Sequence, residues 1–305
     1  MSQSSKINQY IQAATRDNTR RSYQSAIEHY EVTWGGFLPA TANNIAEYLA
    51  DHAETLAFTT LKQRAAALAR WHIDQGFPDP TKSSLVKKVL KGIRELHPVN
   101  PKQAKPLQLE PLSQIVDYLE QEIADNPLSL VSYRDKALVL LGFWRGFRSD
   151  ELCRLNTEFI NVAPNNGLEL YLPRSKGDKQ SVGRAYYAPA LKHLCPVKAY
   201  QDWIGLAKIE AGPVFRAINR WGQVSDKALN PNSIVPLLRS LFKKASISMP
   251  EQYSSHSLRR GFASWASENG WSLKALMEYV GWQDPKSALR YIDNSIQKSQ
   301  FIELM

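Results

Sequence analysis

Two domains are predicted: an all-α N-terminal domain over residues 1–100 and a mixed α+β domain over residues 110–305, mainly helical with a small antiparallel sheet. Three observations carry this. Apolar residues recur at helical spacing in four successive stretches that end at Glu95, as amphipathic helices packing on one another require. A basic segment broken by prolines follows, and beyond it the helical pattern is interrupted by a pair of short strand-like stretches. At 305 residues the chain is long enough to bury two cores of ordinary size.

Residues 1–17 are polar and expected to fray. From Thr19 the residues Tyr23, Ala26, Ile27, Tyr30 and Trp34 share one helical face, and Gly35-Gly36 ends the helix. A second helix is expected from Thr41 to about Glu54, and a third from Thr59 or Thr60 to Gly76 with Leu61, Ala65, Leu68 and His72 buried. On the third, Lys62, Arg64 and Arg70 lie off that stripe. A fourth spans about Thr81 to Glu95.

Between Lys82 and Lys105 there are seven basic residues (Lys82, Lys87, Lys88, Lys91, Arg94, Lys102 and Lys105) against Glu95 alone. Pro98 and Pro101 stop the helix there and impose an extended path. Residues 101–109 are therefore read as a basic interdomain linker lying against phosphates.

In the second part helices are expected over Pro111–Ile123 and Ser132–Trp144, the latter apolar enough to be buried on most sides. Gly146-Phe-Arg-Ser-Asp-Glu-Leu152 turns into another helix. Leu168–Leu172 and Ser181–Tyr187 read as strands joined through Pro173-Arg-Ser-Lys-Gly-Asp-Lys179, a hairpin tip carrying cations. Helices follow near Pro196–Ala207, Pro231–Ala245, His256–Trp265, Ser272–Val280 and Pro285–Ile292, with a short amphipathic tail at residues 295–305.

Composition narrows the function classes. The balance of 38 Lys+Arg against 29 Asp+Glu, a net charge of +9, favours a polyanionic partner. Two cysteines, Cys153 and Cys195, are too few for a disulfide framework or a cysteine-based zinc site. The N-terminus lacks an apolar signal core, and the longest apolar run, Ala137–Trp144, stops at Arg145, short of a membrane span. A cytoplasmic, nucleoid-associated protein is expected, with no membrane partner. Neither a Gly-x4-Gly-Lys-Ser/Thr loop nor a zinc-type His/Cys cluster is present, which is consistent with chemistry that uses no cofactor and no metal.

The chemistry concentrates around His256-Ser-Leu-Arg259-Arg-Gly-Phe-Ala-Ser-Trp265. On a helix, His256 and Arg259 lie three residues apart on one face, while Leu258, Phe262, Trp265 and Ala266 form an adjoining apolar stripe. One face can enter a core while the other holds an anion. A guanidinium offers planar paired donors that match two phosphate oxygens, and an imidazole adds another donor. Taken alone, a His and an Arg at this spacing, or one tyrosine among 13, more commonly serves packing.

Ala137-Leu-Val-Leu-Leu-Gly-Phe-Trp-Arg-Gly-Phe-Arg148-Ser-Asp-Glu151-Leu resembles the first signature box of the tyrosine recombinases, the phage integrase family. His256-x-x-Arg259 resembles the second box, and the spacing to Val280-Gly-Trp282 and to Tyr291 matches the same family. Residues 1–100 resemble its helical core-binding domain, notably at Asn18-Thr-Arg-Arg-Ser-Tyr23. The resemblance implies that Arg148 and Arg259 hold a scissile DNA phosphate, with His256 and Trp282 donating hydrogen bonds to it. It further implies that Lys176 protonates the leaving 5′ oxygen, with Lys179 as a competitor, that Glu151 supports the arginines from behind, and that Tyr291 is the nucleophile. A tyrosine hydroxyl ordinarily titrates near ~10, so gathered positive charge would ease its ionisation while neutralising the phosphorane. Because a 3′-phosphotyrosyl link conserves the energy of the broken bond, neither ATP nor a metal is required.

Trp282 stands where most of the family has a second histidine, as in its Cre-like branch, and an indole donates without accepting a proton. Arg260-Gly261 replaces the commoner His-Thr. The resemblance thus implies a site-specific recombinase acting on double-stranded DNA with inverted half-sites. The alternatives are a topoisomerase IB-like enzyme that relaxes DNA with the same residues, and a non-catalytic sequence-specific DNA-binding protein. DNA contacts are expected from Lys62, Arg64, Lys87, Lys88, Lys91, Lys102 and Lys105, with the third and fourth helices near the major groove. The resemblance implies that the tail, residues 295–305, reaches a neighbouring protomer and links a tetramer; the alternative is a terminal helix docked on its own domain.

Overall fold

Hydroxyl and carboxamide side chains at the boundaries decide where several helices begin. Thr41 Oγ1 accepts from the Asn44 amide at 3.2 Å, Ser83 Oγ from Val86 at 3.2 Å, and Ser272 Oγ from Ala275 at 3.2 Å. Each satisfies an amide that the first helical turn leaves without a partner. The computed structural model describes residues 9–10, 15–98, 103–163, 167–173, 183–285 and 288–289. The chain divides into two units, residues 1–102 and 103–305.

Among its described residues the first unit is helical: α1 (Asp17–Glu28), extended by one π-helical turn over His29–Thr33, then α2 (Ala42–Asp51), α3 (Phe58–Asp74) and α4 (Ser84–Leu96). Its core joins Tyr30, Ile45, Tyr48, Leu49, Leu61, Leu68 and Val86. The predicted stripe of α3 is the buried one: Leu61, Ala65, Leu68 and His72 all face inward. His72 is satisfied there, because its Nε2 accepts the Ala40 amide at 2.8 Å, which leaves the proton on Nδ1 to donate to Leu68 O at 2.7 Å.

The second unit is mostly helical with small antiparallel sheets. Its elements are α5 (Leu109–Asp125), α6 (Leu130–Trp144), α7 (Ser149–Cys153), β1 (Ile160–Ala163), β2 (Gly167–Leu172), β3 (Arg184–Pro189) and α8 (Pro196–Ala207). They continue with β4 (Arg216–Ile218), β5 (Val224–Ala228), α9 (Ile234–Lys244), α10 (Ser255–Glu268) and α11 (Leu273–Val280). Every residue of α6 from Ala137 to Trp144 is buried, so this apolar helix is the axis of the core. Strands β1, β2 and β3 pair antiparallel in that order, with Leu170 opposite Tyr186. The alternation of β2 sends Leu168, Leu170 and Leu172 into the core.

The structure departs from the sequence expectation at three places. One hairpin was expected, whereas β1 adds a third strand and β4 with β5 forms a second sheet. Strand β1 has four residues and β5 reads Val-Ser-Asp-Lys-Ala, too short and too polar for alternation to mark them. Residues 103–109 of the expected linker are not a free connector. Lys105 N donates to Gln252 O at 2.9 Å, Leu107 N donates to Ser257 O at 3.0 Å, and the Leu107 side chain is buried in the second unit's core. Helix α5 begins at Leu109, inside the predicted linker.

Candidate active site

The junction of α6 and α7 builds one wall of the site. Gly146, with φ at +57°, turns the chain out of α6 in a conformation that favours glycine. Arg148 then takes an extended conformation at the N-cap of α7. Glu151, three residues on, folds back: its Oε2 accepts the Arg148 amide at 2.8 Å and its Oε1 accepts from Arg148 Nη1 at 2.7 Å. The Glu151 side chain is 3% exposed and that of Arg148 25% exposed, so the carboxylate sits behind a guanidinium that still reaches solvent. A residue that sequence spacing alone would place as a surface partner is therefore a buried one.

The second wall is α10. Ser254 caps it, accepting from the His256 amide at 3.1 Å, and the apolar stripe of Leu258, Phe262 and Ala266 is buried. His256 lies exposed in the first turn, while Arg259 is 1% exposed. Arg259 Nη1 donates to Gly146 O at 2.8 Å and stands 3.5 Å from Glu151 Oε2. Glu151 thus neutralises two guanidiniums that would otherwise repel. The Arg259 guanidinium carbon lies 4.9 Å from the centre of the Trp282 ring, within cation–π reach. Trp282 follows α11, whose C-cap Gly281 turns left-handed, and its indole is 6% exposed.

Four predicted residues, Arg148, Glu151, Arg259 and Trp282, are thus linked by contacts, with His256 three residues before Arg259 on the same helix. Lys176, Lys179 and Tyr291, and with them the tail at residues 295–305, lie outside the described residues. Of the predicted DNA contacts, Lys62, Lys87, Lys88 and Lys91 are exposed on α3 and α4. Arg64 is half-buried, with Nη1 donating to the Tyr48 hydroxyl at 2.8 Å. Lys105 sits in the second unit, its ammonium 5.4 Å from the Tyr253 ring centre, and Lys102 lies outside the described residues.

Sequence reading missed Arg145, Arg184 and Tyr279. Arg145 is buried at the C-cap of α6, where burial pushes its pKa down from the ordinary arginine value, opposed by Tyr279. Burial likewise raises the Tyr279 hydroxyl. Nothing in the local pattern marks Arg145, since a cation after an apolar run reads as the end of a buried segment. Cys153, on α7, is buried, and that burial, with Asp150 beside it, pushes its thiol up to about 12. Among the described residues no cluster of three or more His, Cys, Asp or Glu is placed to hold a metal ion, and no helix is long and apolar enough to cross a membrane.

The chain is 28% identical over 299 residues to an integrase/recombinase XerD homolog of Selenomonas ruminantium, covering 94% of this chain and 85% of that protein. It is 24% identical over 276 residues to the recombinase Cre of Escherichia phage P1, covering 85% and 77%. Among solved structures it shares the fold of the XerH site-specific recombinase bound to a palindromic difH substrate, with a TM-score of 0.66 at 18% identity over 94% of this chain and 78% of that one. A lambda integrase dimer bound to a core site gives a TM-score of 0.61 at 15% identity, covering 95% and 77%. Residues 106–298, which hold every side chain of the site described above, match the model of the phage integrase family. The chain therefore belongs to the phage integrase family, the tyrosine recombinases.

Proposed function

We propose that the chain is a site-specific DNA recombinase that cleaves and rejoins DNA strands through a 3′-phosphotyrosyl intermediate. The observation that carries this reading is the pair Arg148 and Arg259 held on one buried carboxylate, Glu151, with Trp282 against Arg259. Two fixed cations are suited to a phosphate whose charge grows as a fifth oxygen approaches phosphorus. Arg148 and Arg259 bind the non-bridging oxygens, and His256 and Trp282 donate to them. The Tyr291 hydroxyl oxygen attacks phosphorus and loses its proton, with His256 the first candidate to take it. The bond from phosphorus to the 5′ oxygen breaks, and Lys176 supplies the proton that makes the leaving group a 5′-hydroxyl. Attack by a second strand's 5′-hydroxyl reverses these steps and releases the tyrosine.

In the same proposal residues 1–100 form the core-binding DNA clamp, with Lys62, Arg64, Lys87, Lys88 and Lys91 on phosphates or base edges and Lys102 and Lys105 on the linker. Recombination sites with inverted half-sites would be filled by copies of the chain joined through residues 295–305 into a tetramer, in a cytoplasmic, nucleoid-associated setting. The test is covalent trapping. A binding site recovered from a random duplex pool is rebuilt with a nick beside the scissile phosphate, so that the cleaved end diffuses away. The wild type is expected to yield a protein–DNA adduct on a denaturing gel, and Tyr291→Phe to bind with unchanged affinity and yield none. Binding without any adduct would return the chain to a non-catalytic DNA-binding protein, and relaxation of supercoils without strand exchange to a topoisomerase IB-like enzyme.

A further inference from the structure

Arg145 is a buried cation that the proposed chemistry does not use. Its residue is 1% exposed, and the charged and polar side chains acting on it are Tyr279, Tyr186 and Arg184, with no carboxylate among them. Its Nη1 donates to Tyr187 O of β3 at 2.8 Å and its Nη2 to Tyr279 O in the last turn of α11 at 2.5 Å. The guanidinium lies 3.8 Å from the Tyr279 ring centre and 5.1 Å from that of Tyr186, and the Tyr279 hydroxyl donates to Trp144 O at 2.9 Å. Its Nε has no hydrogen-bond partner among the described residues. Burying a cation on carbonyls and ring faces alone is costly for folding.

The placement of those contacts relates them to the site. Tyr279 is three residues before Trp282, and the amides of Gly281 and Trp282 both donate to Met277 O at 2.9 Å, so the last turn of α11 runs directly into Trp282. Arg184 of β3 donates to the adjacent carbonyl, Glu278 O. The helix end that presents Trp282 is thus held by two arginines on carbonyls its own helix leaves open. The residue after Arg145 is Gly146, whose carbonyl accepts from Arg259 Nη1 at 2.8 Å. One dipeptide therefore holds Arg259 directly and, through Tyr279 O, the helix turn that leads into Trp282.

We propose that Arg145 is a positioning residue for phosphate binding, setting Trp282 against Arg259 by clamping the C-terminal turn of α11 to the α6–α7 junction. The inference rests on the reading of the site as a strand-cleaving one. Its test is a double-mutant cycle on the full-length protein, with Arg145→Met, Arg145→Lys and Trp282→Phe, following the single-turnover rate of adduct formation and the Kd for the same duplex. Arg145→Met is expected to slow adduct formation about 10- to 100-fold, the scale of a misplaced reacting group, with Kd changed less than about threefold. Arg145→Lys, able to reach one carbonyl, should recover part of that loss. In the Trp282→Phe background the Arg145→Met effect should shrink to less than about threefold, because coupled residues are not additive. Equal losses in both backgrounds, an unchanged rate in Arg145→Met, or collapse of both Arg145 variants in thermal melts would overturn the proposal. Absence of an adduct from the wild type would instead remove the catalytic reading itself.

Discussion

Glu151 Oε2 stands 3.5 Å from Arg259 Nη1 while its other oxygen holds Arg148 at 2.7 Å, so a single carboxylate sets the spacing of two guanidiniums from separate helices. Glu151→Gln keeps the shape and removes the charge. The variant should bind DNA yet form the adduct on the order of 10- to 100-fold more slowly, because the arginines lose their common anchor. Arg148→Ala and Arg259→Ala should each lose on the order of 100- to 1000-fold or more, as lost transition-state donors do. Trp282→Phe removes one neutral donor and should lose less. Single-turnover rates on a nicked duplex rank the four, and a Glu151→Gln rate equal to wild type would remove the anchor role.

Gly261 has no side chain because the Leu107 carbonyl oxygen lies 1.8 Å from where its Cβ would stand, with Phe143 Cε2 at 3.0 Å. Backbone occupies that space, so the strap of residues 103–108 must lift before any side chain fits. Gly261→Ala should therefore destabilise the second unit by roughly 1–3 kcal/mol, the range for overpacking, despite alanine's better helix propensity. Urea melts of the full-length protein measure it. A stabilised variant would show that the strap is not seated on α10.

Much of this architecture was legible, and the illegible parts share a cause. Helices were readable because a 3.6-residue period survives over long stretches: the expected Leu61, Ala65, Leu68 and His72 stripe is the buried face of α3, and the expected Pro196–Ala207 helix is α8. Strands β1, β4 and β5 were not, since three to five residues cannot establish a period. At the site, the order Arg148, Glu151, His256, Arg259 and Trp282 was readable, but burial was not: Glu151 and Arg145 look like surface residues until β3, α10 and α11 close over them. Gly261 likewise carries no local reason for being glycine, because the atom that excludes its Cβ belongs to a residue 154 positions earlier in the chain (261 − 107).

Arg134 and Asp135 form a buried ion pair at 2.7 Å on α6, with side chains 8% and 10% exposed. Burial raises the Asp135 pKa and Arg134 opposes the rise. Arg134→Met should destabilise the second unit by roughly 3–5 kcal/mol at neutral pH, the usual effect of stranding one member of a buried pair. The sign with pH follows from the raised carboxyl: the penalty is full above its folded pKa and relieved as pH falls toward the unfolded value. The gap between variant and wild type in urea melts should therefore narrow from pH 7.5 to pH 5. A gap that widens on acidification would show that the carboxylate is not the stranded charge.

Helix α4 buries Val86 and Ile93 and turns Lys87, Lys88 and Lys91 to solvent. Lys87 and Lys91 are four residues apart and Lys88 and Lys91 three, so the three ammonium groups share one exposed stripe. Like charges gathered on a helix are mildly unfavourable unless something neutralises them, and the DNA gripped by the proposed clamp would supply phosphates. Each lysine that contacts a phosphate displaces condensed counterions and adds about 0.9 to the magnitude of the slope of log K against log salt. Replacing all three by glutamine should flatten that slope by up to about 2 to 3 and weaken specific and random duplexes alike, because phosphate contacts carry no sequence information. The unit's fold should be unaffected, since none of the three side chains lies in its core. Filter binding from 50 to 300 mM salt on a selected site and on random duplex gives both slopes. If the triple variant keeps the wild-type slope, the stripe is a solvated face and the clamp's phosphate contacts lie elsewhere on the chain.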